Sequence, residues 1–111
     1  MPQLIEFAKL SGSGNDFVCL DSRGGQFEPI LADPLRAARF AKVLCRRCMG
    51  VGADGVIFAV PCEVEGVADL GARFFEPDGS ESDLCGNGTA CFVRWVGDNG
   101  WASAQEIRIL T

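Results

Sequence analysis

The stretch from Ala90 to Val96 limits the fold more than any other, because Arg94 is its only charge. A helix of that composition is apolar nearly all round and needs cover on every side, which places it at the centre of a core. Just upstream, Phe74-Phe75-Glu76 reads as the end of a strand and Pro77-Asp78-Gly79 as a turn. Proline pre-sets one backbone angle there, aspartate bonds back to the chain and glycine tolerates a positive φ. The order strand, turn, buried helix follows.

Between turn and helix stands Cys85-Gly86-Asn87-Gly88. Two glycines let a ligand approach the backbone, Asn87 can act as an N-cap, and the free N–H groups of a first helical turn suit a carboxylate or phosphate. A cysteine at that helix end gains thiolate character from the same dipole. The chain has no histidine to act as its base, so the backbone must activate it. These residues alone leave open that Cys85 is one more small buried hydrophobe.

The rest of the chain supplies the cover. Leu4 to Leu10 alternates as a strand, with Ile5, Phe7 and Lys9 on one side. Ser11 to Asp16 makes a tight loop before a second strand, Phe17 to Asp21, and puts Asn15 and Asp16 where loops present polar groups to ligands. An ordinary hairpin turn is the simpler reading of the same string. Ser22 to Leu31 reads as irregular connection. Asp33-Pro34 is a helix start and Gly50 a stop, which predicts an amphipathic helix to about Met49. Its Cys45-Arg46-Arg47-Cys48 has the spacing of zinc and redox motifs but lacks a second pair, so core packing is the better reading. Gly50-Val51-Gly52-Ala53-Asp54-Gly55 matches a dinucleotide fingerprint with helix and strand in the wrong order, so it is a helix-to-strand turn and not a nucleotide site.

Val56 to Val60 is a continuous apolar run suited to a strand buried on both faces. A loop over Cys62 to Gly66 leads to a strand from about Ala68 to Glu76, with Phe74 and Phe75 on opposite faces. A last strand covers Glu106 to Leu110. The expected fold class is α+β: a mainly antiparallel sheet wrapped around a central buried helix, plus one amphipathic helix, in a single domain over 1–111.

Composition narrows the function. A net charge of −5 argues against nucleic-acid and anionic-membrane partners, which need a basic face, and points to a small partner. Charges or glycines interrupt every apolar run before it could span a bilayer. No signal peptide precedes the six cysteines, so reduced thiols in the cytoplasm are expected. Without secretion the sequon Asn87-Gly88-Thr89 carries no meaning.

Three blocks, taken together, resemble the N-terminal half of diaminopimelate epimerase: Lys9 to Phe17, Gly50 to Gly55, and Asp78-Gly79-Ser80-Glu81 with Cys85-Gly86-Asn87-Gly88 and Cys91. That family consists of epimerases that use no cofactor, neither pyridoxal phosphate nor metal, and are built from two similar lobes. The resemblance implies a small amino-acid substrate, converted from LL- to meso-diaminopimelate for lysine and cell-wall synthesis. It implies that Cys85 is one of a thiol and thiolate pair that removes the α-proton and delivers another to the opposite face. Asn15 and the Gly86-Asn87 backbone would bind the substrate.

Two positions depart from the pattern. Ser11 stands where the family usually has histidine or glutamine, and Glu76 where an asparagine usually helps hold the distal end of the substrate. A carboxylate there removes donors and favours an ammonium or a different side chain, which keeps a racemase or epimerase of another amino acid, such as a basic one, as the alternative. A noncatalytic binding domain of the same fold is the competing class. The second cysteine of the pair belongs to a C-terminal lobe absent here, and Cys91, about two turns along a buried helix, cannot replace it. A truncated gene or expression fragment is the favoured explanation, beside a split enzyme or a dimer in which two copies of Cys85 face one another.

Overall fold

Residues 5–12, 14–47, 50–61, 70–83 and 86–101, and the backbone of 109–110, are described by a computed structural model. Strands β1 (Ala8–Gly12) and β2 (Asn15–Asp21) form a hairpin in which Gly12 faces Asn15 and Ala8 faces Cys19. A short helix α1 (Glu28–Leu31) and a longer one, α2 (Pro34–Cys45), then cross over to β3 (Val56–Val60), which lies parallel to β2. Strand–helix–strand connection imposes that direction, because a parallel neighbour needs a crossover. Strand β4 (Leu70–Phe75) pairs antiparallel with β3. Its far edge takes β5 (Glu81–Ser82) antiparallel at Phe74–Phe75 and β6 (Ile109–Leu110) parallel at Leu70–Gly71. Helix α3 (Gly86–Asp98) follows β5. The fold is α+β with most pairings antiparallel, as the sequence predicts.

Period-two alternation sorts the core into two halves. Phe17, Cys19, Ile57, Ala59, Leu70 and Ala72 face α3, packing on Cys91, Phe92, Trp95 and Val96. Val18, Leu20, Val56, Phe58 and Phe75 face the other way, onto Ala37, Ala41 and Cys45 of α2 and Leu31 of α1. Phe74 joins the first half and Phe75 the second, the expected split. Val56 to Ala59 are fully buried, as their continuous apolar run requires. On α3 the opposite side, with Ala90 and Arg94, is exposed, because the sheet of this chain covers one face of the helix.

Several boundaries move. Strand β1 begins at Ala8 and runs on to Gly12, because the loop expected over Ser11–Asp16 closes to the two residues between Gly12 and Asn15, with Gly14 at φ 91°. Two-residue hairpin turns need that left-handed backbone. Helix α2 stops at Cys45, short of Met49. The chain folds straight back, so that Gly52 N donates to Leu44 O and Ala53 N to Cys45 O, taking the carbonyls that would have continued the helix. Within the stretch expected to be irregular, Glu28-Pro29 starts α1. Leu4, Cys48, Met49, the loop 62–66, Ala68, Cys85 and residues 106–108 lie outside the described residues. Among the described residues no helix is long and apolar enough to cross a membrane.

Candidate functional site

The registers Val18–Val56 and Val56–Phe75 bring the start of β2, the start of β3 and the end of β4 to one end of the sheet. Asn15, Asp54 and Glu76 therefore share that end, and α3 begins there. The first turn of α3 is Gly86, Asn87 and Gly88, all poor helix formers, with Gly86 at φ 57°. Such a start adds little to helix stability. Asn87 occupies the second helical position and not the N-cap: its Nδ2 donates to Asn15 Oδ1 at 2.8 Å. One hydrogen bond thus joins residues 72 apart in sequence, and both side chains are half-buried.

A second group holds Asn15 from below. Asp54 Oδ2 accepts from Asn15 Nδ2 at 3.4 Å and from the Asp16 backbone N–H at 2.9 Å, and the Asp54 N–H donates to Asp16 O at 2.8 Å. Arg47 Nη2 bonds both Asp16 Oδ1 at 3.0 Å and Asp54 Oδ1 at 3.3 Å. Lys9 Nζ stands 3.3 Å from Asp16 Oδ2. The Arg47 hydrogen bond, with that of Lys9, outweighs burial and holds the Asp16 carboxyl well below the usual carboxylate range. The turn 50–55 has the predicted position between α2 and β3, but it does more than reverse the chain: it delivers Asp54. Gly52 takes φ 80°, and at Gly55 a Cβ would lie 2.4 Å from the Phe74 ring.

Of the residues singled out from sequence, Asn15 and Asn87 meet directly and Gly86 adjoins them in the chain. Glu76 stands at the same sheet end but is tied elsewhere, its Oε1 accepting from Ser82 Oγ at 3.0 Å. Cys85 lies outside the described residues, between Asp83 and Gly86. The described cysteines, Cys19, Cys45 and Cys91, are free and buried. Burial, with the nearby Cys91, pushes the Cys19 thiol up to about 12, and burial with the nearby Asp54 pushes Cys45 up to about 11. Neither is a nucleophile at neutral pH. Among the described residues no cluster of His, Cys, Asp and Glu could hold a metal ion.

Asp54 and Arg47 were not legible as site residues. Arg47 reads as a complement to the α2 dipole, and Asp54 as a turn residue. The one available signal was an acid placed between glycines in a turn whose other members are apolar or lack side chains.

The fold is thus α+β, with Asn15, Asp54 and Asn87 gathered at one end of its sheet. A solved structure of a PhzF-family phenazine biosynthesis protein from Bacillus anthracis superposes with a TM-score of 0.59 and 25% identity, covering 96% of this chain and 31% of that one. The family model for diaminopimelate epimerase matches residues 7–111. Proteins named diaminopimelate epimerase include relatives from Methanothrix thermoacetophila, 44% identical over 91% of this chain and 34% of theirs, and from Archaeoglobus fulgidus, 41% identical over 96% and 35%. The chain belongs to the diaminopimelate epimerase family. It spans about a third of the length of the curated relatives it matches.

Proposed function

We propose that this chain is the N-terminal lobe of a cofactor-independent amino-acid epimerase, supplying one of two proton-transfer thiols, Cys85, for the interconversion of LL- and meso-diaminopimelate. The observation that carries the reading is the 2.8 Å bond from Asn87 to Asn15, which ties the first hairpin to the first turn of α3 two residues after Cys85. It leaves a cluster of amide groups beside helix N–H groups that suit a carboxylate. Asn15, Gly86 and Asn87 would hold the substrate carboxylate and amine.

The chemistry asks for this arrangement. An α-proton beside a carboxylate is barely acidic, and without an electron sink the carbanion must be stabilised by the site itself. Preorganised donors in a dry site contribute about 3 to 4 kcal/mol each, so several must converge. The Cys85 thiolate takes the proton from one face as a thiol on the other face gives one, and the two exchange roles in the reverse direction. The chain has no histidine for this task, and the buried Cys19 and Cys45 thiols are too basic for it. The second thiol would come from a C-terminal lobe, or from a second copy of this chain across a shared cleft; closure by that partner excludes water and strengthens every donor. The protein would work on a small metabolite in the cytoplasm.

Glu76 favours a second reading. A half-buried carboxylate at the same sheet end prefers an ammonium to a distal carboxylate, so a basic amino acid is the alternative substrate. The test is deuterium entry at the α-carbon in D2O, with diaminopimelate or lysine, using this chain alone and with a separately produced C-terminal lobe from a relative. Exchange that rises with the second lobe and is lost in Cys85→Ala supports the reading, and the faster substrate decides the side chain. Exchange no faster than buffer with either substrate, from a folded chain with the second lobe present, overturns it.

A further inference from the structure

We propose that Asp54 is a positioning residue of this site: its carboxylate dictates which way the Asn15 amide faces and, through Asn15, which way Asn87 faces. The proposal rests on the reading of Asn15 and Asn87 as substrate-binding.

The two ends of an asparagine amide have nearly the same shape but opposite chemistry, one accepting and the other donating. Asn15 sits between two partners, Asp54 Oδ2 at 3.4 Å and Asn87 Nδ2 at 2.8 Å. An ionised carboxylate only accepts, so Asn15 must turn Nδ2 towards Asp54 and Oδ1 towards Asn87. Asn87 must then donate. The polarity of both amides is set from Asp54 outward, and each keeps one N–H for a ligand, with the Asn87 carbonyl as an acceptor. Take the carboxylate away and the reversed pair becomes accessible, with donors and acceptors exchanged where the substrate's carboxylate and ammonium must be told apart.

Asp54 itself is well placed to act as the fixed reference. Oδ2 is anchored by the Asp16 N–H at 2.9 Å, Oδ1 by Arg47, and its own N–H by Asp16 O. Its position follows from the turn folding back on α2 and from the Gly55 contact with Phe74, not from the Asn15 bond. Among the described residues the hydrogen bonds that run from Asp54 to Asn87 pass through Asn15.

Side-chain amide NMR of the 111-residue chain tests this without a ligand. In wild type, Asn15 is expected to give one pair of Nδ2 proton signals, with a cross-peak to Asn87. In Asp54→Ala these signals shift or double and the cross-peak weakens. Asp54→Leu, close in shape to aspartate but with no acceptor to offer Asn15, does the same if the alanine variant fails to fold. A titration with LL-diaminopimelate adds the coupling. Asp54→Ala should weaken binding about fivefold, the loss of one ordinary hydrogen bond, and by less than about twofold in an Asn15→Ala background. Unchanged Asn15 signals in the variants, or an equal loss of binding in both backgrounds, overturns the proposal. A wild-type chain that does not bind diaminopimelate counts against the functional reading alone, and the amide signals still decide the role of Asp54.

Discussion

At the residue scale, the sheet end is organised by hydrogen bonds to charged groups whose consequences can be measured. Asp16 has a folded-state pKa below its unfolded one because Arg47 hydrogen-bonds its carboxylate. Its contribution is therefore present above about pH 4, where the unfolded side chain is ionised, and is lost as pH falls through the lower folded value. In thermal unfolding, wild type should exceed Asp16→Asn by most near neutral pH, and the gap should shrink steadily below about pH 4. A gap that is constant with pH would mean the ion pairs add nothing. The thiols give a second residue-level prediction. Cys19 and Cys45, buried and pushed up to about 12 and about 11, should resist iodoacetamide in the folded protein and react only on unfolding. Peptide mapping should find Cys85 labelled first.

At the scale of elements, the turn after β4 is clamped on α2. Gly79 is buried at φ 92°, and a Cβ there would stand 2.7 Å from the Ala38 carbonyl oxygen, so both the backbone and the space exclude a side chain. Gly79→Ala should destabilise by about 1 to 3 kcal/mol in urea unfolding. On the same side of the sheet, Phe58 of β3 is fully buried among Phe27, Phe40 and Phe75, with ring centroids 5.6 to 6.0 Å away. Phe58→Ala should cost about 3 to 5 kcal/mol, because aromatic rings on three sides cannot all move in to fill the space. A loss under about 1 kcal/mol for either variant would contradict this packing. The strands were legible because their apolar periods are simple: the run Val56 to Val60 suits a strand buried on both faces, and Val56 to Ala59 are fully buried. The end of α2 was not, because it is set by Gly52 and Ala53 reaching back to its last carbonyls, a contact no local pattern carries.

At the scale of the molecule, the same distinction separates the legible half of the site from the hidden half. Asn15 and Asn87 announce themselves as polar residues among glycines at turns. Asp54 acquires its role only when β3 lies alongside β2 in the observed register, which brings it to an asparagine 39 residues earlier in the chain. The chain spans about a third of its curated relatives, and α3 keeps Ala90 and Arg94 exposed on the side away from the sheet. On the function proposed above, the chain should be silent alone and active when completed by a second lobe. The most direct measurement is the isotopic content of both epimers during turnover in D2O, with the second lobe present. A two-thiol site predicts product that gains one deuterium at the α-carbon while recovered substrate stays protiated, and no labelling in Cys85→Ala. Equal labelling of substrate and product, or labelling that survives the loss of Cys85, would contradict the account.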